Sequence, residues 1–517
     1  MIKKETAVLG SAVLVFILIK SWVFPFHPVH PDLGYILFVA EGLLDGKQMY
    51  VDFIEVNFPS IYYFTTIPVF LSKWIGLSDI NTYYSFLYGW MLFSVYLCTR
   101  LLPFFFEQEK TRTLFTLFLL YLVMLYPGYN FGQRDHLLFV FTLPYALLIG
   151  VRMMGGGVSR WTTVWIGLMA GIGLTFKPFF VLIYIVAESY VCISTKKISS
   201  LMRTESVFIV ITNGLYYLFF VLFQLQNYFA VYQMARYFYN VNNNDWMAIL
   251  YKAGFHVMVL YLIFYLFYRY KTKRITPPLQ KLHAICWVFL TASLILLMIQ
   301  QKGWDYHCIP FRAWFLIIGF IFLLRLNRSV LRRSIFHAVM AVGLLVCSLF
   351  PFYSDFTLGF RRIWHDSAFF ELKEYVERHA KDQYIYVLSI YLNPTYPLVN
   401  YAPVKFNGRY PFLWPLTGVE YKDLQKVSLD PNDATVTSTR ERLMSDLLED
   451  LTEHPPALIV DCVDTGERMM GIKEFSYIDY FSQNEQLKRF FAQYSFKKEI
   501  QSKGCHYLVY GLDSEFE

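Results

Sequence analysis

Between Leu114 and Phe352 the chain carries five carboxylates, namely Asp135, Glu188, Glu205, Asp245 and Asp305. A stretch that long with so few acids cannot maintain a water-facing surface, and its natural solvent is lipid. The rest of the composition agrees. Of 517 residues, 56% are hydrophobic and 20% aromatic, while 16% are charged. A soluble domain carries about a quarter charged residues. The net charge of +7 does not point to nucleic acid, because the basic residues fall in short clusters between apolar runs, as cytoplasmic loops do.

The apolar runs predict eleven spans, at 6–24, 83–104, 114–126, 137–151, 161–176, 179–193, 206–223, 255–268, 284–299, 313–324 and 335–349. Several must extend into their flanks to reach the roughly 20 residues that cross a bilayer. Every second connection is basic: Lys3/Lys4, Lys110/Arg112, Arg152/Arg160, Lys196/Lys197/Arg203, Lys271/Lys273/Arg274/Lys281 and Arg325/Arg328/Arg332/Arg333. The positive-inside rule places these six in the cytoplasm, the N-terminus inside and the C-terminus outside. The first run lacks a small-residue cleavage site and is followed by further spans, so it reads as a retained anchor. The localisation expected is the inner (plasma) membrane.

After Phe352 acids return, beginning with Asp355, Asp366, Glu371 and Glu374. Strands are expected at 384–390, 457–461 and 506–510, and amphipathic helices at 369–379, 440–451 and 477–491. The domains expected are therefore a membrane part, 1–352, and an extracytoplasmic α/β domain, 353–517. The cysteines show no zinc-binding spacing. A disulfide between Cys462 and Cys505 in the outer domain is left open.

The connections assigned to the outer face are chemically rich. The first holds Asp32, Glu41, Asp45, Asp52, Glu55 and Asn57. The second reads YPGYNFGQRDHLL and holds Arg134, Asp135 and His136. The third is Lys177-Pro178, the fourth holds Arg236 and Asp245, and the fifth, IQQKGWDYHCIP, holds Lys302, Asp305 and His307. Ionisable groups at membrane depth are costly and are kept for function. Acids from one connection with cations from others suit attack on a lipid-linked phosphosugar. Cations hold the phosphate and stabilise charge as it leaves. A carboxylate takes the proton of an acceptor hydroxyl, and a nearby carboxylate favours the oxocarbenium-like state. Plainer readings stand beside these. Asp32 and Asp52 suit helix capping, Arg134 and Asp135 suit a private ion pair, Lys177 suits snorkelling to the headgroups, and Lys302 and His307 suit interface anchoring.

The first outer connection carries Asp32-Leu33-Gly34-Tyr35, Ala40-Glu41-Gly42-Leu43-Leu44-Asp45-Gly46, Tyr50-Val51-Asp52-Phe53 and Asn57-Phe58-Pro59 before an apolar run. These blocks resemble the GT-C superfamily of polyprenyl-phosphate-dependent glycosyltransferases, in the branch with protein O-mannosyltransferases and lipid A aminoarabinose transferases. The blocks 131–136, 177–178 and 302–310 resemble motifs of bacterial members, in the same order. The resemblance implies a polytopic α-helical GT-C fold and an inverting hexosyl- or pentosyltransferase. Its partners would be a polyprenyl-phosphate-linked sugar donor, membrane lipid and a glycan, lipid or protein acceptor. It places the catalytic base at Asp32; the family's second acid is missing here or is supplied by Asp52, taken as the second catalytic candidate, or by Glu55. Glu55, Asn57, Arg134, Asp135, His136, Lys177, Lys302 and His307 would bind substrate. No metal site is assigned, although Asp32 with Asp52 would suit one divalent cation. The chain departs from the pattern at Leu33, where many relatives have Glu, and at Asn57-Phe58-Pro59, where many have Lys-Pro-Pro. Trp304-Asp305-Tyr306 only partly matches the oligosaccharyltransferase block. The alternative function is a transporter or flippase for a lipid-linked glycan, but that would place ionisable groups near the midplane of repeated, broken helices. A non-catalytic assembly or sensor protein would not need acids and cations from five connections.

Overall fold

A computed structural model describes residues 10–11, 13–15, 28–238, 244–256, 258–259, 276–325, 367–419, 434–463, 465, 475–502 and 505–512. Among these, six helices are long and apolar enough to cross a membrane: Asp79–Phe104, Arg134–Arg152, Pro178–Thr195, Thr204–Phe223, Pro277–Gln300 and Asp305–Leu324. The chain is a multi-pass membrane protein with a small C-terminal sheet. Two further expected spans appear as 16-residue helices, Glu109–Met124 and Arg160–Thr175. At about 1.5 Å per residue these reach roughly 24 Å, short of a full hydrocarbon core. The expected spans at 6–24, 255–268 and 335–349 lie largely outside the described residues.

The chain divides into two compact units. The helical unit comprises Met1–Pro25, Tyr83–Phe219 and Asn243–Thr357. Its centre is the Arg134–Arg152 helix, whose apolar window is entirely buried. A helix apolar all round is one that neighbours must enclose, and Arg160–Thr175, Pro277–Gln300 and Ile309–Arg325 pack against it. Pro144 interrupts the ladder of this helix by removing the N–H that would bond Val140. The orphaned Val140 carbonyl accepts instead from the Ser94 hydroxyl at 2.6 Å, on the Asp79–Leu101 helix.

The mixed unit comprises Phe26–Thr82, Phe220–Asn242 and Leu358–Glu517. It holds a five-stranded sheet of β1 (Tyr384–Leu388), β2 (Lys405–Phe406), β3 (Leu458–Cys462), β4 (Tyr494–Ser502) and β5 (Cys505–Leu512), in the order β2-β1-β3-β5-β4. β2, β1 and β3 run parallel, with Ile385 opposite Leu458. β5 turns antiparallel, with Cys462 opposite Tyr507, and β4 closes a hairpin on it. β1 reads as an unbroken apolar run and β3 as one interrupted only by the buried Asp461, because both faces are covered. Ala368, Leu372 and Val376 of the Ser367–His379 helix cover part of this core. β4, with Lys497 and Glu499 exposed, lacks an apolar signature because it is an edge strand, where charge guards an open ladder.

The helix expected at 477–491 is two, Tyr477–Phe481 and Glu485–Phe491. Asn484 ends the continuity, since its side chain accepts the N–H groups of Gln486 and Leu487 at 2.9 and 3.2 Å and starts a new helix. After Val29 the chain forms helices Pro31–Leu44 and Ser60–Ile75, which pack on each other.

Candidate active site

In the helical unit, Arg134 and Asp135 open the Arg134–Arg152 helix, so its N-terminal N–H groups add positive potential to the arginine. Lys177 lies in the sharp connection before Val181–Thr195, and Gln300 ends Pro277–Gln300. These three elements converge. The Lys177 ammonium donates to Asp135 Oδ2 at 2.5 Å and to Gln300 Oε1 at 2.6 Å, while Gln300 Nε2 donates to Asp135 Oδ1 at 3.1 Å. Lys177 is therefore not snorkelling. It is a buried cation held between a carboxylate and an amide, 5.4 Å from the Tyr306 ring centroid.

Arg134 and Lys302 are buried beside this pair, and His307 lies within electrostatic reach of Lys177, Arg134 and Lys302. His307 packs edge-on to Tyr306, and its Nδ1 has no hydrogen-bond partner among the described residues. Three buried cations thus converge with one buried carboxylate, Asp135. The excess positive charge matches a phosphate, and withdrawal from water strengthens the attraction. Burial pushes the Lys302 ammonium down to about 8. The Lys302 carbonyl accepts from the Asn244 side chain, which fixes the strand of chain carrying it.

His136 is engaged by its own scaffold. Its Nδ1 accepts from the Gly132 N–H at 3.0 Å, so Nε2 carries the proton and donates to the Val123 carbonyl at 2.9 Å. Those bonds hold the turn that precedes Arg134. Asp305 is exposed, and Asp245 caps the Trp246–Ala253 helix by accepting from Met247 and Ala248.

In the mixed unit, Asp32 is in the first turn of Pro31–Leu44. The expectation that it might only cap this helix meets a different arrangement. His30 is the N-cap, its Nδ1 accepting the Asp32 N–H at 3.2 Å, and the Asp32 carboxylate lies 3.8 Å from that nitrogen. Capping by a ring nitrogen is not signalled by the usual Ser, Thr, Asp or Asn pattern. Asp52 is exposed and accepts the Gln48 N–H at 2.7 Å, closing a turn. Glu55 is buried, accepting from the Asn57 N–H at 2.7 Å and its Nδ2 at 2.5 Å. Tyr35, one turn after Asp32, faces Glu55, and burial raises its phenol above the usual range, with the Glu55 charge adding to the effect.

Among the described residues no group of three or more His, Cys, Asp and Glu is placed to hold a metal ion. The residues that sequence reasoning missed are His30, Tyr35, Gln300 and Tyr306. Of these, Tyr35 and Tyr306 lie inside motif blocks without a role assigned to them, and Gln300 is an amide at the very end of an apolar run.

No protein-family model matches the chain, and no curated protein matches it. A solved structure does: ArnT from Cupriavidus metallidurans bound to undecaprenyl phosphate, with a TM-score of 0.52, 13% identity, and coverage of 98% of this chain and 99% of that one. This chain has the ArnT fold. The likeness runs over nearly the whole chain, and it is a fold of the class that the first-connection motifs imply.

Proposed function

We propose that this chain is a membrane glycosyltransferase that moves a hexosyl or pentosyl group from a polyprenyl-phosphate donor to an acceptor hydroxyl on the extracytoplasmic face, with inversion. The observation that carries this reading is the buried cluster of Arg134, Lys177 and Lys302 around His307, with Asp135 as its carboxylate. The ArnT fold supports it, because that structure was solved with undecaprenyl phosphate. Arg134 and Lys302 hold the donor phosphate and stabilise its charge as the glycosidic bond breaks. Lys177, already bonded to Asp135, orients the cluster and adds potential. Asp32 accepts the proton of the incoming hydroxyl. Glu55 and Asn57 shape the loop that follows, and Asp52 holds its entry turn.

A lipid-linked glycan transporter would use ionisable groups near the bilayer midplane. Here Lys177, Gln300 and Lys302 lie at or just beyond helix ends, which favours transfer. The test is a panel of undecaprenyl-phosphate hexoses and pentoses incubated with purified protein and an envelope extract from a deletion strain. Release of undecaprenyl phosphate from one member, with that sugar missing from the strain's surface glycans, is the expected outcome. If no sugar is consumed while lipid-linked glycan accumulates on the cytoplasmic side of the deletion strain, the transporter reading replaces this one.

A further inference from the structure

Asp32 is only as useful as the mount that holds it. The Pro31–Leu44 helix begins without a Ser, Thr, Asp or Asn cap, and the chain before it must be held by something else. The segment Thr395–Tyr401, more than 360 positions later, meets this start at three points. The Val29 N–H donates to the Tyr401 hydroxyl at 3.1 Å. Asn400 Nδ2 donates to the Gly34 carbonyl at 3.0 Å. Tyr396 packs edge-on to Tyr35, with ring centroids 5.1 Å apart. The two hydrogen bonds straddle Asp32, one three residues before it and one two residues after.

The approach is close enough that a side chain on Gly34 would displace Asn400. A Cβ on Gly34 would stand 2.5 Å from Asn400 Oδ1 and 3.2 Å from Tyr396 Cβ. Gly34 is unfavourable for helix propensity. Its place is explained by the segment that lies against it. Tyr396 and Phe406 also receive Phe38, at 5.4 and 5.8 Å between centroids, so the contact continues along the helix.

We infer that Asn400 and Tyr401 are positioning residues, a clamp from the C-terminal part of the chain that sets the backbone on both sides of Asp32. This rests on the reading of Asp32 as the base. A base must sit within about half an ångström of its productive position, and small displacements are expensive in rate. The clamp makes the C-terminal segment part of the catalytic machinery rather than an appended tail.

Two substitutions isolate it. Tyr401→Phe removes one acceptor oxygen from a partly exposed ring, and Asn400→Asp keeps the size of the side chain while removing the N–H donor. In each, amide exchange at Val29, Leu33 and Gly34 should quicken by about tenfold, because Leu33 and Gly34 donate to the His30 carbonyl in the turn the clamp holds. Consumption of the undecaprenyl-phosphate sugar that wild type uses should lose about tenfold in kcat, with KM for the donor within about twofold. Gly34→Ala supplies a rescue that a general loss of stability would not produce. It should be damaging alone but add little to Asn400→Ala, since the clashing oxygen is then gone. Exchange at wild-type rates in both single variants overturns the clamp, as do additive losses in the Gly34→Ala/Asn400→Ala pair. If instead Asp32→Asn retains turnover, the assignment of the base falls, and the exchange rates still decide the clamp.

Discussion

Burial holds the Lys302 ammonium near 8 rather than at its usual 10.5. The sign of the consequence follows directly. If Lys302 holds the donor phosphate as proposed, the side chain is cationic and attractive below about pH 8, and above it the neutral amine is not. kcat/KM for the donor should fall as pH rises through about 8, and Lys302→Arg should carry that limb upward, because guanidinium keeps its proton. A limb unmoved in the arginine variant would remove Lys302 from the phosphate site. Arg134→Ala should weaken donor use by about 1.5–3 kcal/mol, the range for one charge-assisted bond, read as donor affinity by calorimetry. Asp32→Asn should cost about 10²–10⁴ in turnover with no change in thermal unfolding, because His30 and not Asp32 caps the helix. Near wild-type turnover in that variant would shift attention to Glu55, the buried carboxylate of the same connection. Asp32, Arg134, Lys177 and Lys302 were all legible in the sequence as ionisable groups beside apolar runs. Their partners were not. Gln300, His30 and Tyr35 carry no signal of a partner in sequence, and they matter only because folding brings them to a charge.

At the scale of elements, polar groups pin helices that hydrophobic packing alone would leave free to slide. Glu188, on the Val181–Thr195 helix, accepts from the Tyr145 hydroxyl and from Arg203 Nη2 at 2.5 Å each, and from Ser206 Oγ at 2.8 Å. Arg152 and Arg203 both reach Glu205, at 3.1 and 3.6 Å. Arg134–Arg152, Val181–Thr195 and Thr204–Phe223 are thereby joined at one end, opposite along the first of them to Arg134. Glu188→Ala would leave the Arg203 charge and the Tyr145 hydroxyl without this partner, and should cost about 3–5 kcal/mol. The measurement is thermal unfolding in detergent, compared with Glu188→Gln, which should lose less because the amide still accepts. The partners of Glu188 could not be named from spacing alone. The helices at 134–152 and 277–300 were readable from hydropathy, whereas β4 and the break at Asn484 were not. The first is an edge strand without an apolar face, and the second depends on one side chain turning back to its own backbone.

At the scale of the molecule, we propose about eleven spans, with the chain leaving the membrane near 352/353, the N-terminus cytoplasmic and the C-terminal region outside. Reporter fusions after Arg203 and after Asp366 should report cytoplasmic and extracytoplasmic locations respectively. A cytoplasmic signal from the second would reverse the orientation. The depletion of acids from Leu114 to Phe352 and the spacing of basic clusters were enough to determine a helical, multi-pass protein, because a bilayer admits few solutions for an apolar backbone. The order of the motifs was enough to lead to a GT-C-like fold, and the structural likeness to ArnT agrees with it. What only the tertiary structure decided is which polar groups meet. Asp135 and Gln300 come from two helices and Lys177 from the connection between two others to make one buried network, and Asn400 reaches Gly34 across 366 positions. Burial of apolar surface is non-directional and can be read from periodicity. A hydrogen bond or an ion pair is a matter of tenths of an ångström, and those distances exist only once the helices have packed.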